Sequence, residues 1–149
     1  MAQPKHAEPI EAERPPTVVR VGMTAEEYFA MPETMQPQNL IEGRLYVSPA
    51  PILRHEDIVL ELAGALRDFR RDDGGYVILS PTDCQLGDRT VLQPDLGYVS
   101  KEHLGILSVM RVHGAPDLVI EVLSPGTRRF DRQKKLDAYA ANGVREAWL

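Results

Sequence analysis

The sequence has little cysteine, no long apolar run and no secretion signal. Cys84 is its one cysteine among 149 residues, which excludes a disulfide framework and a cysteine-based zinc site. No apolar run approaches the roughly 20 residues that span a bilayer. The polar N-terminus lacks the apolar core of a secretion signal. We therefore expect a cytoplasmic protein with no membrane segment.

A basic surface and the common nucleotide-binding motifs are also missing. The chain contains 17 Lys and Arg against 22 Asp and Glu, for a net charge of −5. Proteins that coat nucleic acid non-specifically rely on clustered Lys and Arg, so this class is disfavoured. No Walker loop, dinucleotide fingerprint, Gly-x-Ser-x-Gly or His-Glu-x-x-His motif occurs. A nuclease with a local basic group and a metal ion stays open.

Two apolar runs of the sequence each contain one carboxylate. The first run, Thr90–Val99, contains Asp95, and the second, Ala115–Ser124, contains Glu121. The length and β-branched content of both runs predict buried strands. A charge inside a buried strand costs several kcal/mol unless a partner charge or a metal neutralises it. On adjacent strands the two acids would approach within roughly 5 Å and share one divalent cation.

Two Pro-Asp pairs, Pro94-Asp95 and Pro116-Asp117, compete as the partner of Glu121. Asp117 and Glu121 belong to one run, so roughly 13 Å separates them along a strand, which is too far for one metal. We therefore pair Asp95 with Glu121 and interpret Asp117 as a strand-entry residue. Structural alternatives remain for the chosen acids: Glu121 would form a core ion pair with an arginine such as Arg128, and Asp95 would be a turn residue.

A lysine follows the second run, on a helix predicted over Asp131–Asn142. Lys135 would add a compact positive charge to the two acids, and this set suits metal-assisted cleavage of a phosphodiester. Asp131, Lys135 and Tyr139 form an i, i+4 stripe, so the alternative for Lys135 is an ion pair on a solvated helix face.

Two further groups of polar residues are weaker candidates. His55 lies near the start of a helix predicted over Ile52–Arg71, where a histidine is more often a cap or surface residue than a ligand. Three arginines after the second run would clamp a phosphate, or else form a basic surface: Arg128, Arg129 and Arg132.

The remaining pattern predicts a flexible tail over residues 1–15 and a single domain over residues 16–149. Thr24 and Glu27 form a capping box that starts a short helix, and Asn39–Val47 predicts a hairpin. Three further strands are expected as a meander over residues 76–99, one strand over 117–123, and a last one from Val144. Because the chain stops inside that last strand, we expect the natural domain to continue past Leu149.

The candidate site resembles the PD-(D/E)XK nuclease superfamily, and more specifically the Uma-two family of bacterial restriction endonucleases. The resemblance extends from about Met23 to Leu149 and is carried by the following segments: Met23–Tyr28, Leu40–Gly43, Ser48-Pro49, His55, Gln93–Asp95, Gly114–Pro125, Asp131-Arg132, Lys135-Leu136, Tyr139 and Gly143-Val144. Such coverage is far more specific than any single motif.

The resemblance implies a restriction-endonuclease-like fold, an α/β arrangement with a mixed central β-sheet flanked by helices. It implies a metal-dependent endonuclease that hydrolyses phosphodiester bonds, in DNA, with Mg²⁺ or Mn²⁺ as cofactor. Asp95 and Glu121 become metal ligands, with the backbone carbonyl of Val122 as a third. In the superfamily's usual motif the lysine lies two residues after the acid, where this chain has Leu123, so Lys135 would take its place. A homodimer is compatible with this class, because superfamily nucleases often dimerise to cut two strands.

One departure from the family pattern bears on activity. His55 falls at a family-typical position. In contrast, relatives commonly carry a glutamate where this chain has Asn39. If that glutamate helps to hold the metal, Glu42 would have to substitute for it here. Otherwise the chain is a catalytically weak or inactive nuclease-fold module that binds nucleic acid or a protein partner.

Overall fold

A computed structural model describes residues 14–149, so most of the predicted tail lies outside the described residues. The strands are β1 (Thr17–Arg20), β2 (Gln38–Ile41), β3 (Arg44–Val47), β4 (Tyr76–Leu79), β5 (Cys84–Gly87), β6 (Thr90–Leu92), β7 (Leu96–Val99), β8 (Val112–His113), β9 (Leu118–Ile120) and β10 (Glu146–Trp148). The helices are α1 (Ala25–Phe29), α2 (Leu53–Asp73), α3 (Arg128–Phe130) and α4 (Leu136–Ala141), with a 3-10 helix over Lys101–Ile106 and a π-helical turn over Asp131–Lys135. Within this part of the chain, no helix is long and apolar enough to cross a membrane.

The strands form two mixed sheets. The larger sheet has the order β1-β3-β2-β6-β5-β8, with β8 parallel to β5 and the other pairs antiparallel. The smaller sheet has the order β10-β9-β7-β4, with β10 parallel to β9 and the other pairs antiparallel. The chain passes directly from one sheet to the other between β6 and β7.

Helices cover both faces of the smaller sheet. Successive residues of a strand point to opposite faces: Leu118 and Ile120 of β9 pack against α2, whereas Val119 packs against α4. Leu62 and Leu66 are the α2 residues that pack with Leu118 and Ile120. Full burial of one such side chain contributes about 1.5–3 kcal/mol to the free energy of unfolding. The fold class predicted from the sequence, a mixed sheet flanked by helices, is therefore confirmed.

Local sequence signals explain several element boundaries. Thr24 and Glu27 form the expected capping box at the start of α1. Glu42 and Gly43 connect β2 to β3 with positive φ angles of 49° and 79°, the backbone that a two-residue hairpin turn requires. Gly74 ends α2 in the left-handed conformation, with φ at 81°. The predicted short helix, hairpin and long helix are confirmed.

The prediction of one strand over Thr90–Val99 is wrong. The run is broken at Gln93–Asp95, so that β6 belongs to the larger sheet and β7 to the smaller one. Pro94 has no N–H to donate to a ladder and restricts the residue before it, which ends β6 and lets the chain cross between sheets. Asp95 therefore precedes a strand rather than lying inside one.

Two neighbouring predictions need correction as well. The strands after α2 do not form a meander, because β4 pairs with β7 rather than with β5. The strand predicted over residues 117–123 is limited to β9, so Glu121 follows its last residue. Both candidate acids thus lie at strand ends, where side chains can face a cavity.

Candidate active site

The ladder between β7 and β9 brings the two candidate acids to one edge of the smaller sheet. The strands are antiparallel, with Leu96 opposite Ile120 and Gly97 opposite Val119. Continuing this register by one residue places Asp95 opposite Glu121. Directly opposite residues share a face of the sheet, with Cβ atoms about 4.5–5.5 Å apart.

Glu121 is a buried carboxylate with two donors on one oxygen. Its side chain is 2% exposed, and Oε1 accepts hydrogen bonds from the Tyr139 hydroxyl at 2.5 Å and from Lys135 Nζ at 2.6 Å. Burial raises the pKa of Glu121 to about 7, although the charge of Lys135 opposes this rise. The acid is thus neutralised by a lysine, not by Arg128.

Lys135 is buried in the same place, so the alternative of a solvated helix face is wrong. Burial alone would lower the pKa of Lys135, but the nearby carboxylates outweigh it and raise the pKa, Glu121 most strongly. Nζ also donates to the Gln93 carbonyl at 3.2 Å. An ammonium group has three donors, and these two contacts leave one for a water or a phosphate oxygen.

A π-helical turn shapes the segment that carries the lysine. The Leu136 N–H reaches back five residues to the Asp131 carbonyl, which widens the helix at this point; such turns are frequent at functional sites. Asp131, Lys135 and Tyr139 are all buried, at 6%, 4% and 1% exposure. The predicted i, i+4 stripe is real, but it faces inward.

Asp95 is held through a single oxygen. Its Oδ2 accepts the Val122 backbone N–H at 2.8 Å and lies 3.0 Å from Nε2 of His55 on α2. The hydrogen bond to Asp95 raises the pKa of His55, while burial acts in the opposite direction. Nδ1 of His55 is buried without a hydrogen-bond partner among the described residues.

These residues line one cavity of about 550 Å³. Its polar part includes Asp95, Glu121, Lys135, His55 and Val122, together with Asn39, Ser48, Gln93, Ser124, Thr127 and Asp131. Much of the remaining wall is apolar, with contributions from α2 and from a proline-rich segment before it. The three principal residues predicted from the sequence therefore meet, and His55 joins them.

Four weaker candidates lie elsewhere. Glu42 is exposed in the β2–β3 turn and does not line the cavity, because the turn lies at the end of β2 away from Asn39. The three arginines considered for a phosphate clamp are exposed on the helical segment and are also outside the cavity: Arg128, Arg129 and Arg132. The interpretation of Glu42 as a substitute ligand is therefore wrong.

Sequence reasoning missed a polar network that fixes the segment between the sheets. Asn39, 3% exposed, accepts the Gln93 backbone N–H at 3.0 Å. The Gln93 amide donates to Asp83 at 3.0 Å, and Asp83 also accepts the Tyr28 hydroxyl at 3.0 Å. The available signal was an asparagine directly before the apolar Leu40 and Ile41 of the same strand, because a buried amide needs a partner.

The donor set of the cavity suits a hard cation. The hydrogen bonds among residues 14–149 occupy Oδ2 of Asp95 and Oε1 of Glu121, and leave Oδ1 and Oε2 unused. No group of three or more His, Cys, Asp or Glu residues gathers around one point in this part of the chain. Mg²⁺ is commonly bound by one or two carboxylates plus waters, so the oxygens present fit it.

Comparisons with known proteins agree with the fold. The family model Uma2, described as "Putative restriction endonuclease", matches residues 25–149. The crystal structure of "a putative nuclease belonging to DUF820" from Anabaena variabilis has a TM-score of 0.72 at 23% identity, and the match covers 85% of this chain and 73% of that one. No curated protein sequence matches the chain. The chain therefore belongs to the Uma2 family, the Uma-two family that its residues resemble.

Proposed function

We propose that this chain is a metal-dependent endonuclease that hydrolyses phosphodiester bonds in DNA, with Mg²⁺ or Mn²⁺ as cofactor. The observation that carries the proposal is the convergence of Asp95, Glu121 and Lys135 in one cavity, with Lys135 Nζ 2.6 Å from Glu121. Membership of a restriction endonuclease family supports the same class of reaction.

Asp95, Glu121 and the backbone carbonyl of Val122 would hold the metal ion. Each offers oxygen, and the unused carboxylate oxygens described above are available for this role. When bound, the ion supplies charge stabilisation at the phosphate oxygens and lowers the pKa of a bound water. The chain's own groups bind and orient the remaining partners of the reaction.

Lys135 orients rather than accepts a proton. Its ammonium is fixed between Glu121 and the Gln93 carbonyl, which directs the third N–H donor to a water or a phosphate oxygen. Holding a reactant in this way removes part of the entropic barrier. His55 and the Val122 N–H restrain Asp95 through Oδ2, so that its orientation is set before substrate arrives.

Plasmid nicking with two matched aspartate variants tests the proposal. Supercoiled plasmid offers both duplex and transiently unpaired DNA. Asp95→Asn keeps an oxygen that can accept the Val122 N–H but removes the charge, whereas Asp117→Asn makes the same change outside the cavity. We expect wild type and Asp117→Asn to nick in Mn²⁺ or Mg²⁺, and Asp95→Asn to lose at least about a hundredfold in rate. Unimpaired nicking by a folded Asp95→Asn would refute the assignment.

A second candidate is an inactive nuclease-fold module, and Asn39 is the observation that favours it. This buried amide lines the cavity at the position where relatives carry a glutamate, so the cavity has one carboxylate fewer. Isothermal titration calorimetry with Mn²⁺ distinguishes the two candidate functions. A nuclease binds the ion in a manner that Asp95→Asn weakens, whereas an inert module shows no binding that depends on Asp95.

A further inference from the structure

A second cavity adjoins the candidate active site. It measures about 630 Å³ and shares three wall residues with the first cavity: Met35, Pro81 and Gln93. Gln93 is the residue whose carbonyl holds Lys135. The two cavities are therefore neighbours, with these side chains at their common boundary.

The second cavity contains a cation, Arg111, that no residue in the described part of the chain neutralises. The guanidinium carbon of Arg111 lies 3.4 Å from the ring centroid of Phe29, and both residues line this cavity. Within residues 14–149, the Arg111 side chain makes neither an ion pair nor a hydrogen bond. Lys135, the basic residue of the first cavity, is by contrast paired with Glu121.

Exposed apolar side chains lie beside this cation. Met35 and Met110 line the second cavity and are 99% and 73% exposed, and the Phe29 ring packs edge-on against Tyr28. Single strands are bound by cations that contact phosphates and by aromatic or guanidinium planes on which bases stack. The Arg111–Phe29 pair provides both kinds of contact.

The carboxylates of this cavity argue against a duplex. Glu33 and Asp83 also line it, although Asp83 accepts hydrogen bonds from Tyr28 and Gln93. A duplex presents about one negative charge per 1.7 Å along its axis. Arg111, which has no ion pair among residues 14–149, cannot offset that density beside two acids. An unpaired strand can place one phosphate on Arg111 and turn its bases to the apolar walls.

We propose that the second cavity binds the nucleotide that flanks the scissile phosphate in an unpaired strand. The phosphate of that nucleotide contacts Arg111, and its base packs against the Arg111–Phe29 stack and Met110. This inference rests on the proposed nuclease function for the position of the cut, but not for the binding of the strand. Its substrate class is single-stranded DNA, or DNA with unpaired stretches.

Fluorescence anisotropy measures strand binding without hydrolysis. The probe is a labelled oligothymidylate of about twelve nucleotides, titrated in EDTA with wild type, Arg111→Ala and, as a matched control, the exposed Arg145→Ala. We expect Arg111→Ala to bind about tenfold more weakly and Arg145→Ala to bind as wild type. Loss of one phosphate contact should also reduce the magnitude of the slope of log K against log salt concentration by about 0.7. A merely structural effect would leave this slope unchanged.

A small substrate separates this inference from the proposed function. Bis(para-nitrophenyl) phosphate is too short to span both cavities, so we expect Arg111→Ala to hydrolyse it in Mn²⁺ as wild type does. Weaker strand binding by Arg111→Ala supports the inference, even where wild type hydrolyses nothing and the nuclease assignment fails. Wild-type strand binding by Arg111→Ala, no strand binding by wild type, or tighter binding of a duplex of equal length overturns the inference.

Discussion

The two Pro-Asp pairs of this protein have nearly the same local structure and different surroundings. Pro94 and Pro116 are both fully buried, and each aspartate directly precedes a strand of the smaller sheet. The aspartate side chains are 20% and 21% exposed. Both contact a histidine and accept one backbone N–H: Asp95 from Val122 and Asp117 from Ser100.

The difference lies in what the antiparallel ladder places opposite each aspartate. Asp95 lies opposite Glu121, and both line the cavity together with Lys135. Asp117, at the other end of the same ladder, contacts Ser100 and the partly exposed His103 of the 3-10 helix. The dipeptide and its hydrogen bonds therefore do not specify a catalytic role. The role proposed for Asp95 depends on the buried charges that other segments bring to one of the two ends.

Removing the buried charge at the Asp95 end should have the largest effect on stability. Glu121→Ala leaves Lys135 buried without its partner, which costs about 3–5 kcal/mol of unfolding free energy. Urea denaturation measures this loss, and Asp117→Ala at the other end is the comparison, with a loss of about 1 kcal/mol. The double variant Glu121→Gln/Lys135→Met should recover most of the stability. Equal losses for Glu121→Ala and Asp117→Ala would show that the two ends do not differ as described.

Two tyrosines extend the same comparison, with smaller expected losses of unfolding free energy. Tyr139 donates to the buried Glu121, and Tyr98, whose carbonyl accepts the Asp117 N–H, donates to Asp73 near the surface. A hydrogen bond to a charged group contributes about 1.5–3 kcal/mol to stability. The contribution is smallest where water can replace the lost partner. We expect Tyr139→Phe to destabilise the protein more than Tyr98→Phe in urea, and only Tyr139→Phe to weaken Mn²⁺ binding. The reverse order would contradict a special role for the Glu121 cluster.

The smallest expected effect is the pH-dependent stability that Asp117 contributes at its end of the ladder. Partial burial raises the pKa of Asp117, but hydrogen bonds from the Ser100 N–H and His103 outweigh it and leave the pKa below its ordinary value. A carboxyl with a lowered folded-state pKa stabilises the protein above its unfolded pKa, and this stability is lost as pH falls through the folded value. Asp117→Asn should therefore remove less than about 1 kcal/mol at neutral pH and nothing in strong acid. Thermal unfolding between neutral and acidic pH tests this, and a difference that grows on acidification would refute it.

Local features of this fold could be predicted from the sequence, and so could one long-range pair. The capping box, the Glu42-Gly43 hairpin and α2 depend on neighbouring residues. The pairing of Asp95 with Glu121 followed from strand geometry, because two acids on one strand are too far apart. That inference was made for strand interiors, and it holds for strand ends because the β7–β9 register continues past both strands.

The remaining features depend on tertiary packing that sequence patterns do not encode. The apolar residues on both sides of Pro94 predict one strand, whereas the structure has a break there. Lys135 has the spacing of a surface ion pair, and it is buried only because the helix that follows packs against Val119 of β9. Glu42 is only three residues from Asn39 in the sequence, yet Asn39 lines the cavity and Glu42 lies in the exposed turn after β2. The tail over residues 1–15, the homodimer and the cytoplasmic location stay predictions.

The tripeptide Gln93–Asp95 has a consequence for the order in which the cavity forms during folding. Its contacts join residues far apart in the chain: Gln93 to Asn39 at a separation of 54 residues, Gln93 to Lys135 at 42, and Asp95 to His55 at 40. Contacts of this range form only after the intervening chain has been ordered. The cavity is therefore complete only once the segments that carry Asn39, His55 and Lys135 have all reached this tripeptide, so it forms late in folding.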